Sequence, residues 1–205
     1  MAALLLAGSF SASAAARTVK LVAFGDSLTA GLGLPADASF PARLERALKA
    51  RGHDVSVQNA GVSGDTASGG LARLDWSVPG ETDGVILELG ANDALRGVDP
   101  AVTRKALEAM IQRLQARGVH VLLAGMRAPR NLGADYVSKF DAIYPELAAK
   151  YAVVFDPFFL EGVAADAALN QGDGMHPNAA GVDAIVARIL PKVEELILRV
   201  TSGKD

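Results

Sequence analysis

The 205-residue sequence contains no cysteine. Disulfides, thiolate metal sites, a cysteine nucleophile and a lipid-bearing N-terminal Cys are therefore excluded. Histidine is scarce: there are three, far apart in the chain, so a His-based metal site is not expected. Charge is nearly balanced, with 20 Lys and Arg against 23 Asp and Glu, and no Lys/Arg run forms a basic stripe. That predicts no nucleic-acid partner. The phosphate-cradling G-x-x-x-x-G-K-[ST] pattern is missing. The first strand-to-helix turn has neither G-x-G-x-x-G nor the G-x-S-x-G nucleophile elbow.

What is present is a globular composition, 50% apolar and 21% charged. The length suits one well-packed domain and is short for two. Near the N-terminus, Leu4-Leu5-Leu6 is followed by Ser11-Ala12-Ser13-Ala14-Ala15-Ala16. This resembles the apolar and cleavage regions of an export signal, which would occupy residues 1–16 and start the mature chain near Arg17. The expectation is a periplasmic or secreted protein with one domain over 17–205. No Lys or Arg follows Met1, so the pattern fits a signal whose basic start lies upstream; the alternative is an apolar disordered tail. The stretch is too short to span a bilayer, and no stable membrane insertion is expected.

Beyond Arg17 the pattern alternates between strands and helices. Val19–Phe24, Val55–Val57, Gly84–Leu89, Val119–Ala124 and Val153–Phe155 read as strands. Phe40–Arg51 reads as an amphipathic helix closed by Gly52, and Gly61–Gly70 as a Gly/Ser/Thr loop entering a short helix through Leu74. Asp99-Pro100 starts a helix with Leu107, Met110, Ile111 and Leu114 on one face. A helix over Ala134–Lys150 should bend at Pro145. A last helix from Asn178 should kink or split at Pro191. Trp76 and the phenylalanines are expected in the core or lining a groove. The alternation predicts an α/β fold, a parallel sheet with helices on both faces.

In such a sheet, ligands bind beyond the carboxyl ends of the strands. The polar residues falling there are Gly25-Asp26-Ser27, then Asn59, Gly61, Ser63, Gly64 and Asp65, then Gly90, Asn92 and Asp93, and finally Asp173 and His176. His53 leads into a strand and His120 lies at the start of one, so both belong to the opposite edge, which leaves His176 as the base. A serine hydroxyl needs a neighbour to take its proton, and an imidazole titrates near neutrality. Ser27 with His176 supplies nucleophile and base. Asp173, three residues before His176, can accept the other ring N–H and fix the tautomer. An oxyanion would need donors: the Ser27 N–H, the Gly64 N–H and the Asn92 amide. Asp26, Asp65 and Asp93 read as groups that brace the loops. Each cluster alone is weak, since Gly, Asp, Ser and Asn are ordinary turn and cap residues and Asp173 could cap the last helix. Their order along one sheet edge is the stronger observation.

The blocks Gly25-Asp26-Ser27-Leu28, Gly61-Val62-Ser63-Gly64-Asp65-Thr66, Gly90-Ala91-Asn92-Asp93 and Asp173-Gly174-Met175-His176-Pro177 resemble those of the SGNH (GDSL-type) hydrolases, from about Val19 to Val200. The resemblance implies a flavodoxin-like three-layer α/β/α sandwich with a five-stranded sheet in the order 2-1-3-4-5. It assigns the same roles to Ser27, Asp173, His176, Gly64 and Asn92, and implies no metal or cofactor. Gly90–Gly97 and Gly125–Asn131 are similar to the two groove loops of the periplasmic acyl-CoA thioesterase/arylesterase/lysophospholipase group. Ala94 stands where that group usually has glycine, and Ala128 where a bulkier residue is common. The expected activity is hydrolysis of small esters or thioesters with an apolar acyl or aryl group. Two alternatives stay open: a carbohydrate O-deacetylase with the same triad, and a flavodoxin-like binding protein holding a phosphate at Gly25–Thr29.

Overall fold

The computed structural model describes residues 17–202, and the expected export segment lies outside them. Strands β1 (Val19–Gly25), β2 (Val55–Gly61), β3 (Gly84–Glu88), β4 (His120–Ala124) and β5 (Val154–Asp156) form one parallel sheet in the order β2-β1-β3-β4-β5. The helices are α1 (Ser27–Ala30), α2 (Phe40–Ala50), α3 (Ala67–Ser77), α4 (Ala91–Leu95), α5 (Pro100–Ala116), α6 (Ala134–Asp141), α7 (Ile143–Tyr151) and α8 (Ala179–Ser202). One packed group joins α2 to α8 and the other joins α3 and α7 to α5, so the sheet is covered on both faces. Among the described residues, no helix is long and apolar enough to cross a membrane.

Burial explains the strand sequences. All of β3 and all but Lys20 of β1 are buried, which is why these central strands read as almost unbroken apolar runs. On α8, Val182, Ile185, Val186, Ile189, Val193, Leu196, Ile197 and Val200 form one buried stripe. At the sheet's amino edge, His53 Nε2 meets Glu194 at 3.0 Å, and the His120 N–H donates to the Asp83 carbonyl. His53 precedes β2 and His120 opens β4, so both lie at the amino edge expected for them.

Three local expectations are corrected, and one is narrowed. β2 runs on to Gly61, so Asn59 lies inside the strand and not after it. As an edge strand it tolerates exposed Gln58 and Asn59 while its backbone stays in register with β1. The helix over 134–150 is two helices broken at Ala142, with Pro145 inside the first turn of α7. Proline lacks an N–H and crowds the carbonyl four residues back, here Asp141, so the break falls before it. Of the two outcomes expected at Pro191, the split is not seen: α8 continues through it, since the apolar stripe keeps one face buried on both sides. Trp76 is 77% exposed on α3, neither core nor groove, whereas Phe24, Phe40, Phe140 and Phe159 are fully buried.

Candidate active site

The chain reverses its direction of winding at β1, whose neighbours are β2 and β3, and the site forms beyond that switch point. β1 ends at Gly25, where a Cβ would fall within 2.5 Å of the Glu88 carbonyl and side chain. Asp26 then caps α1, its Oδ1 accepting the Leu28 N–H at 3.0 Å. α1 is one turn long and stops at Gly31, which is left-handed. Ser27 is its first residue, so its N–H has no intrahelical acceptor.

The facing residues come from the loop between β5 and α8. An isolated bridge pairs Asn170 with Pro177, and the Gln171 N–H donates to the His176 carbonyl at 2.8 Å. Gln171 Nε2 reaches across to the Leu32 carbonyl at 2.7 Å and fastens this loop to the segment after α1. Asp173 Oδ1 accepts the Met175 and His176 N–H groups at 2.9 and 3.0 Å, and its Oδ2 lies 2.6 Å from His176 Nδ1. His176 Nε2 stands 2.9 Å from Ser27 Oγ. The N–H groups of His176 and Met175, then the imidazole, hold the Asp173 carboxyl well below the usual carboxylate range. An ionised Asp173 places the ring proton on Nδ1 and leaves Nε2 to accept from the serine hydroxyl. Asn178, not Asp173, caps α8, its Oδ1 accepting the Gly181 N–H.

The three expected oxyanion donors are arranged less simply. Gly64 adopts a φ of +85°, and its carbonyl accepts from Arg96. No hydrogen bond among the described residues uses its N–H. Asn92, on α4, shares the groove with Ser27 and His176. Its Nδ2 donates to Asp26 Oδ2 at 3.1 Å and to the Asp65 carbonyl at 2.9 Å. The amide therefore ties together the loops after β1, β2 and β3, and both its hydrogens have protein acceptors.

The acidic neighbours brace these loops. Asp93 accepts the Ala67 N–H and the Thr103 hydroxyl. Burial pushes the Asp26 carboxyl up to about 6, opposed by the Leu28 N–H and the Asn92 amide. Asp65 pairs with Arg73 Nε at 2.5 Å.

Arg73 escaped the reading of the sequence. It is buried, donates to the carbonyls of Gly25 and Ala60 at 2.9 Å each, and lies over the Phe24 ring at 4.1 Å. Its signal was a charge on the buried face of α3, beside Gly70 and Leu74. Glu88 was missed as well, an acid closing an otherwise apolar strand.

Beside Ser27 and His176 opens a groove of about 610 Å³. Leu28, Met126, Phe158, Leu160 and Met175 line it, and Ala91, Ala94, Ala128, Ala164 and Ala165 add small side chains. Both loops singled out in the sequence contribute walls. Arg127 stacks on Phe158 and pairs with Glu161, and Arg130 pairs with Asp141.

A doubly wound sheet with a serine, an imidazole and a carboxylate hydrogen-bonded in a row at an apolar groove has the architecture of a serine hydrolase of acyl substrates. The chain belongs to the GDSL-like lipase/acylhydrolase family, whose model matches residues 23–184. It is 39% identical over 203 residues to an esterase, TesA, of Pseudomonas aeruginosa, covering 96% of this chain and 100% of that protein. It is 43% identical over 159 residues to an arylesterase of Vibrio mimicus, covering 77% and 80%. It is 41% identical over 165 residues to thioesterase 1/protease 1/lysophospholipase L1 of Escherichia coli, covering 80% and 78%. A crystal structure of TesA matches with a TM-score of 0.82 at 39% identity, covering 86% of this chain and 99% of that one.

Proposed function

We propose that Ser27 is the nucleophile of an esterase or thioesterase, with His176 as general base and acid and Asp173 as its orienting carboxylate. Ser27 Oγ attacks the substrate carbonyl carbon as its proton passes to His176 Nε2. The imidazolium then gives that proton to the departing alcohol or thiol, and an acyl-enzyme remains. Water, deprotonated by His176, attacks the acyl carbonyl, and the proton returned to Ser27 Oγ releases the acid. The Ser27 and Gly64 N–H groups and the Asn92 amide receive the oxyanion; Asn92 does so by sharing a hydrogen it otherwise gives to Asp26 or Asp65. The contact carrying the proposal is the 2.9 Å approach of Ser27 Oγ to His176 Nε2, with Asp173 behind the ring.

The apolar lining favours an acyl or aryl group over a sugar, so an ester or thioester with an apolar acyl part is the substrate class. We also propose that residues 17–205 act as one exported domain after removal of residues 1–16. Ser27→Ala should abolish p-nitrophenyl ester hydrolysis while circular dichroism stays that of the parent. Activity retained in a folded variant would exclude the mechanism. In a panel of long-chain acyl esters, aryl esters, short acetyl esters and acetylated sugars, the long acyl and aryl esters should give the highest kcat/KM. Preference for acetylated sugars would favour the deacetylase instead.

A further inference from the structure

We infer that Glu88 is a positioning residue for the Ser27 turn: its buried side chain gathers the groups on either side of Ser27 onto one oxygen. The inference rests on Ser27 being the nucleophile. Glu88 is the last residue of β3, paired in register with Gly25, and is fully buried. Its Oε2 accepts the Thr29 hydroxyl at 2.7 Å, with the Asp26 N–H at 3.4 Å. The same oxygen occupies the space a Cβ on residue 25 would need. Gly25, Asp26 and Thr29 thus all meet this oxygen, and Ser27 lies between them.

The surroundings specify the protonation state. Oε1 is buried without a hydrogen-bond partner. The charged and titratable groups nearby are Asp26 at the α1 cap, Tyr144 on α7 and Arg73 on α3. Arg73 is committed to Asp65 and to the Ala60 and Gly25 carbonyls, so Glu88 has no cation of its own. Of the two neighbouring acids, Asp26 has the better donors, the Leu28 N–H and the Asn92 amide. Asp26 therefore keeps the charge and Glu88 the proton. Burial, then the Asp26 charge, push the Glu88 carboxyl well above its ordinary range. An apolar side chain would fill this volume without the cost of burying an acid. What the acid adds is an acceptor under the Ser27 turn.

The test uses Glu88→Gln, Glu88→Leu and Thr29→Val. It reads kcat and KM on a p-nitrophenyl ester, the rate of labelling by an alkyl fluorophosphonate, and thermal unfolding. Gln keeps a neutral carbonyl acceptor and should hold kcat within about threefold of the parent. Leu removes the acceptor, and should lower kcat and labelling by about 10²-fold with little change in KM, as expected for a displaced nucleophile. Thr29→Val should lower kcat about 10-fold through the same contact. If Leu fails to fold, Gln and Thr29→Val decide. Full kcat in a folded Leu variant, a loss confined to KM, a Gln variant as impaired as Leu, or an unaffected Thr29→Val would each overturn the inference. Failure of the nucleophile assignment is a separate result: Ser27→Ala would keep its activity, and the parent would not be labelled.

Discussion

Replacing Arg73 with methionine removes a guanidinium that holds three pieces of the site at once. It donates to the end of β1 at Gly25, to the end of β2 at Ala60, and to Asp65 beside Gly64, while covering the Phe24 ring. Hydrogen bonds to charged groups contribute about 1.5–3 kcal/mol each, and the ring contact about 0.5–2 kcal/mol. These do not add. The Gly25 carbonyl keeps the Val62 N–H at 3.0 Å, and methionine regains some packing over Phe24. The dominant loss is that Asp65, whose side chain is only 18% exposed, is left without its cation. Breaking a buried pair in this way costs about 3–5 kcal/mol, which sets the expected loss for Arg73→Met. Arg73→Lys keeps the charge but cannot span the fork, and should cost about 1–3 kcal/mol. For a chain of this size the methionine variant's Tm should fall by about 6–20 °C. Urea unfolding with linear extrapolation measures the difference directly. The turn bearing Gly64 should loosen with Asp65, so kcat should drop more than KM rises. A methionine variant within about 1 kcal/mol of the parent would refute the reasoning, because it would give these bonds no more weight than an exposed ion pair.

Asp173→Asn should lower kcat by about 10³–10⁴-fold, since an amide facing Nδ1 favours the wrong imidazole tautomer. In the parent, the carboxyl ¹³C resonance of Asp173 should not titrate between about pH 4 and 9, given its lowered pKa; a midpoint inside that range would contradict the hydrogen bonds around it. Glu88 gives the opposite sign. A carboxyl raised on folding contributes stability that is complete below its unfolded value and is lost as pH rises through its folded one. Relative to Glu88→Gln, the parent should lose up to about 1.4 kcal/mol per pH unit above the ordinary glutamate range. Parallel stability–pH curves for the two proteins would count against a buried neutral acid.

Strands β1, β3 and β4 were legible because burial on both faces leaves little but apolar residues. The edge strand was not, since three of the seven residues of β2 are polar and its extent is set by hydrogen bonds to β1. Pro145 gave the right disturbance at the wrong residue, because proline acts on the carbonyl before it. Ser27, Asp173, His176 and Asn92 stood out by their places after strands, and the structure sets Ser27, Asn92 and His176 in one groove. Glu88 was missed because its partner Thr29 lies 59 residues away, beyond the reach of any local pattern. Arg73 pairs with Asp65 only eight residues before it, but its contact with Gly25, 48 residues away, follows from the way the sheet brings β1 and α3 together. The second engagement of Asn92, with Asp26 and Asp65, was hidden for the same reason.

Two parts of the cleft are held in place by separate sets of side chains, and the Asn92 amide belongs to one of them. Around Ser27, Asp26, Asp65 and Asn92 from the three loops are hydrogen-bonded with Arg73 of α3 into one network. The other part, the wall at residues 126–130, draws its side-chain support from Asp141 and Glu161, outside that network. Selection or an engineer can therefore recut the wall for a new acyl group while the reacting centre stays in place, and Ala128, small and facing the groove, is where the first cut falls.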